Sequence, residues 1–112
     1  MSARAQARLW VAQRVTAAIL AVCVLVHLAT IIYAVQGGLT AAEILGRTRG
    51  SLAIGGFYAL FVVAAAIHGG IGLRTIAAEW LRLGRASTWV AAFIALALLV
   101  LGLRAVVAVS FG

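Results

Sequence analysis

Two histidines, nine arginines and two glutamates are the residues of this 112-residue chain whose types can do chemistry. His27 lies in an apolar run at 15–35 and His68 in another at 52–73. A strongly polar side chain inside an apolar run is costly and asks for a partner. For a histidine that partner is a hydrogen-bonding group or a metal. Other chemistries have no footing here. The chain holds no glycine-rich phosphate loop, no Cys-x-x-Cys-His haem-attachment site and no serine, histidine and acid set. Its one cysteine, Cys23, sits among apolar residues and reads as packing.

The elements that carry the histidines follow from composition. Hydrophobic residues make up 66% of the chain, proline and lysine are absent, and mean hydropathy is +1.20. A soluble domain of this length cannot hide that much apolar surface, so the solvent is lipid. A helical span needs about 20 apolar residues, and three runs of that kind occur, the third from 88 to beyond 103. The expectation is an all-α integral membrane protein, one transmembrane domain over residues 1–112. It has three transmembrane helices at about 9–36, 51–83 and 87–110. The first run is too long for a signal-peptide core and no small-residue cleavage pattern follows it, so it reads as a retained helix behind a basic lead-in.

The net charge of +7 would suggest nucleic acid in a soluble protein. Here the positions assign it to the bilayer instead. Arg4, Arg8, Arg14, Arg74, Arg82 and Arg85 fall on one side, Arg47 and Arg49 flank the opposite loop, and Arg104 lies inside the third helix. The positive-inside bias puts the N-terminus inside and the C-terminus outside, with no nucleic-acid partner.

His27 and His68 lie on helices that run in opposite directions. If Arg14 and Arg74 mark a common inner boundary, the histidines stand roughly 20 Å and 9 Å above it at 1.5 Å per residue. A separation of about 10 Å is too large for one shared metal ion and suits two stacked cofactors. Haem iron takes axial imidazole within such bundles. On a helix, Phe61, Ala64, Ala65, Gly72 and Thr75 share the face of His68, leaving small residues where a ring plane must come close. Arg74 is within reach of a propionate. A histidine hydrogen-bonded across helices, in a stripe that only packs, is the alternative that spacing leaves open.

The string His68-Gly-Gly-Ile-Gly72-Leu-Arg74, followed by Glu79, resembles the second-helix signature of the cytochrome b membrane-anchor subunit of succinate:quinone oxidoreductases. The segment Gln13-Arg14-Val15-Thr16 is similar to the opening of that subunit's first helix, and the likeness runs from about Trp10 to Glu79. It implies a chain that forms half of a larger anchor bundle in a bacterial inner membrane, with haem b on His68. Arg14 would lie near quinone and propionates, with Trp10 and Glu79 as further quinone-site candidates. The partners implied are a second small anchor sharing the haem, an iron–sulfur subunit and a flavoprotein. No dicarboxylate chemistry would belong to this chain, and quinone would be the substrate of the site it helps form.

Three positions depart from the pattern. Trp10 stands where a serine is frequent, Thr75 where a histidine follows the signature arginine, and Glu79 where aspartate is common. His27 is an addition that one-haem members do not need. The likeness to two-haem anchors makes it the candidate ligand of a second haem, and Arg104, about 28 Å above the inner boundary, the candidate partner of that haem's propionates. Snorkelling to the outer interface is the alternative for Arg104. For Glu79 the alternative is an ion pair with Arg82 three residues on. Two other functions stay open: a haem-free structural anchor, and a small transporter whose His27, His68 and Arg104 line a polar path.

Overall fold

In lipid every backbone N–H and C=O must be satisfied within the chain, and a proline-free, alanine- and leucine-rich sequence does that as helix. A computed structural model describes all residues from Met1 to Gly112. It contains four helices and no strand: α1 Ala3–Gly37, α2 Ala41–Thr48, α3 Leu52–Glu79 and α4 Ala86–Phe111. Helices α1, α3 and α4 are long and apolar enough to cross a membrane. The bundle measures 49 Å along its axis and 23 Å across.

The boundaries differ from the sequence expectation where caps decide them. Helix α1 begins near residue 3 and not near 9, because the Ser2 hydroxyl accepts from the Ala5 N–H at 3.1 Å and caps an extra turn and a half. Helix α3 stops at Glu79 and not at 83. The chain then reverses through left-handed backbone at Arg82 and Gly84, with the Leu83 N–H closing on the Ala77 carbonyl at 3.1 Å. The segment read as a loop holds α2. Its Thr40 hydroxyl accepts from the Glu43 N–H at 3.2 Å while the Glu43 carboxylate accepts from the Thr40 N–H at 3.0 Å, a reciprocal capping box.

Helix α3 is the centre of the bundle, with α4 on one side and α1 on the other, and α2 rests against the end of α4. Small residues set these approaches. A Cβ added at Gly70 would stand 2.9 Å from the Ala95 side chain, and one at Gly55 would stand 2.9 Å from Ser110. Ala64, Ala66, Ala77 and Ala91 are buried beside them. Without a hydrophobic drive between helices in lipid, such close contacts provide the association. Only ten residues are buried, while Leu25, Phe93 and Leu101 are each more than 60% exposed. That surface would be intolerable in water and is ordinary against acyl chains or a partner helix.

Candidate functional site

The seam between α1 and α3 collects the chemistry. At the end where Arg4, Arg8, Arg82 and Arg85 gather, a cleft of about 410 Å³ is lined by residues that include Trp10, Gln13, Arg74, Thr75 and Glu79. Three sequence-selected residues, Trp10, Arg74 and Glu79, therefore meet. Arg14 does not enter the cleft. It is exposed on its flank, its guanidinium 5.3 Å from the Trp10 ring centre in a cation–π contact. Arg74 donates its Nε–H to the Thr88 hydroxyl at 3.2 Å, which ties α3 to α4 while the side chain still borders the cleft.

One turn deeper the seam reaches His68. Gln13 packs 3.6 Å from where a Gly72 Cβ would be, and Gly72 is four residues from His68. His68 is half-buried, and its Nδ1 is 3.2 Å from the hydroxyl of Thr16, itself 6% exposed. The Gln13 amide oxygen is buried with no partner, a polar atom left at the join between cleft and histidine. The small-residue face expected to leave room beside His68 is divided. Helix α1 covers its Gly72 end, and Ala65 borders a cavity that belongs to His27.

His27 occupies the other half of the seam. Its Nδ1 lies 3.1 Å from the Tyr58 hydroxyl, and its ring meets Tyr58 and Phe61 edge-on at centroid distances of 5.6 and 5.7 Å. Thr30 joins the group, donating to the His27 carbonyl at 2.6 Å and standing 3.3 Å from the Tyr58 oxygen. Two cavities, about 790 and 460 Å³, both border His27 and Tyr58. Tyr58 and Thr30 are polar residues that sequence reasoning passed over, and Gln13 and Thr16 entered it only as part of the first-helix segment, with no role of their own. Each is a common type in an apolar run, and only the pairing of helices gives it a role.

That pairing corrects two depths. His68 is level with Thr16 and His27 with Tyr58, so eleven residues of α1 and ten of α3 separate the histidines, roughly 15 Å at 1.5 Å per residue. The smaller sequence value assumed that Arg14 and Arg74 share a level. With Gln13 beside Gly72, Arg74 instead lies three residues nearer the basic end. Arg104 is the second correction. Gly102 packs on Val62, so Arg104 stands near the level of Phe61, no farther out than His27. Two residues from Gly102 around a helix, it turns from α3, is exposed, and borders neither His27 cavity.

A bundle of three spans with this string of polar residues along one seam can be set beside known proteins. The profile of the family described as succinate dehydrogenase/fumarate reductase transmembrane subunit matches residues 1–104. The chain belongs to that family. No curated protein sequence and no solved structure matches it. The anchor subunit is thus an integral membrane protein and part of an enzyme complex, with His27, His68 and the basic-end cleft all inside the matched region.

Proposed function

We propose that this anchor subunit holds haem b on His68 and contributes its basic-end cleft to the site where quinone is reduced. The observation that carries the reading is proximity: Gln13, which lines the cleft with Trp10, Arg74 and Glu79, packs against Gly72, one helical turn from His68. His68 suits an iron because its Nδ1 is engaged by Thr16, which leaves Nε2 as the ligating nitrogen. Bound there, haem b supplies a one-electron carrier beside the cleft. A second small anchor, docked against the apolar faces of this chain, would share the holding of that group. An iron–sulfur subunit delivers electrons taken by a flavoprotein from succinate, and both dock at the basic end, which faces the cytoplasm of a bacterial cell.

The chain's own residues have distinct tasks in that site. Reducing a quinone to a quinol takes two electrons and two protons. Arg74 bounds the cleft, where its terminal guanidinium N–H groups donate to a quinone carbonyl oxygen and its permanent charge stabilises the charge developing there. Arg14, held on the Trp10 ring, adds a second cation from the flank. Glu79 is exposed at the cleft and is the carboxylate placed to pass protons between water and the quinone oxygens. His27, bordered by two cavities, is the candidate ligand of a second haem; Arg104, turned from both, serves the lipid or a partner surface.

A pyridine haemochrome count on the complex purified through this chain tests the reading, with His68→Ala and His27→Ala beside it. The expected result is a haem lost with His68→Ala. Loss of a second haem with His27→Ala extends the reading to two haems. A complex without haem overturns it and leaves a haem-free anchor.

A further inference from the structure

We infer that Thr16 is the positioning residue of His68: its hydroxyl holds the proton on Nδ1 and makes Nε2 a stronger donor toward iron. The inference rests on the proposal that His68 is a haem ligand. Thr16 is buried, and its Oγ1 has three neighbours: the Ala12 carbonyl at 2.7 Å, the Gln13 carbonyl at 3.1 Å and His68 Nδ1 at 3.2 Å. A hydroxyl has one proton to give and lone pairs to receive with. The carbonyls can only accept, and the Ala12 oxygen at the shortest distance takes the proton. Oγ1 therefore meets His68 with a lone pair, and the imidazole must donate its Nδ1–H.

The opposite arrangement would place the proton on Nε2, which has no protein partner, and an unpaired N–H within a span is costly. Back-bonding to the preceding turn also fixes the hydroxyl's rotation, so the acceptor is in place before any ligand arrives. A hydrogen bond from the far nitrogen of a ligating imidazole orients the ring and raises its basicity. Greater donation favours the ferric over the ferrous state, so the Thr16 hydroxyl lowers the reduction potential of the group His68 holds.

The test compares Thr16→Val, Thr16→Ser and the wild type as purified complexes, reading haem content and the midpoint potential of the haem lost in His68→Ala. Thr16→Val keeps the shape and removes the acceptor. The expected result is a raised potential and haem affinity lower by about 10–100-fold, with Thr16→Ser restoring both. Assembly of the Val variant without haem, again rescued by Ser, gives the same answer. A Val variant with wild-type potential and haem content overturns the inference while leaving His68 a ligand. So does a Ser variant that behaves like Val, because packing and not the hydroxyl then matters. If Thr16→Val does not assemble, Thr16→Ala is read in its place, and failure of both makes the role structural and overturns the inference. A wild-type complex with no haem removes it together with the proposed function, which keeps the two failures distinguishable.

Discussion

Each histidine is steadied by a hydroxyl from the opposite helix: Thr16 of α1 serves His68 of α3, and Tyr58 of α3 serves His27 of α1. With Thr30 included, the second set closes into a ring in which every hydroxyl has an acceptor, running from His27 Nδ1–H through Tyr58 and Thr30 to the His27 carbonyl. Tyr58→Phe opens that ring and leaves Nδ1 without a partner. The expected cost is about 1–3 kcal/mol, seen as a lower thermal midpoint of the complex, with the His68-dependent haem spectrum unchanged. At the basic end, Arg14→Ala is expected to slow quinone reduction at least several-fold and retain haem, since Arg14 lies on the cleft's flank against Trp10 and it is Thr16 that hydrogen-bonds His68. Succinate oxidation with a soluble electron acceptor should stay at the wild-type rate, which separates a quinone defect from a loss of assembly.

At the scale of helices, the α3–α4 seam is the most sensitive to volume. Gly70 admits α4 so closely that Gly70→Leu must push the Ala95 and Ala91 turns away, a strain of about 1–3 kcal/mol or more. Its expected outcome is reduced accumulation of the subunit in membranes, measured by immunoblot. Helix α2 adds a charged cap to its contact with α4. The Glu43 carboxyl is held below its ordinary range first by the Thr40 N–H and then by the Thr40 hydroxyl; desolvation opposes them, and the Arg47 charge adds the smallest lowering. A depressed folded pKa means that this stabilisation is complete above the unfolded value and is lost as pH falls through the folded one. Amide protection factors in α2 should accordingly drop at acid pH in the wild type and be low and pH-independent in Glu43→Ala. Gly38 belongs to the same device: its φ of 114° suits glycine, and the Glu43 carboxylate stands where a Cβ would be.

Over the whole molecule the asymmetry of arginine sets a direction that labelling can test. Ser2→Cys should be shielded from an impermeant thiol reagent added outside intact cells and Gly112→Cys should react, while native Cys23, 3% exposed, stays silent. The opposite pattern would reverse the proposed topology. The three spans, and the two histidines as their polar exceptions, were legible in the sequence because lipid allows the backbone few options and makes any buried imidazole conspicuous. The signature from His68 to Glu79 likewise pointed to the family. Helix α2 was legible only in principle, since Thr40 and Glu43 spell its cap but eight residues are too few for a helical period to show. What the tertiary structure alone decided is stagger and rotation. It set Thr16 and not another residue beside His68, put Tyr58 against His27, left Arg14 on the flank of the cleft and turned Arg104 away from α3. Helices that are apolar all round carry no stripe to say which face turns inward. In lipid that choice falls to close contacts at residues such as Gly70, Gly72 and Gly102, which exist only once the helices have met.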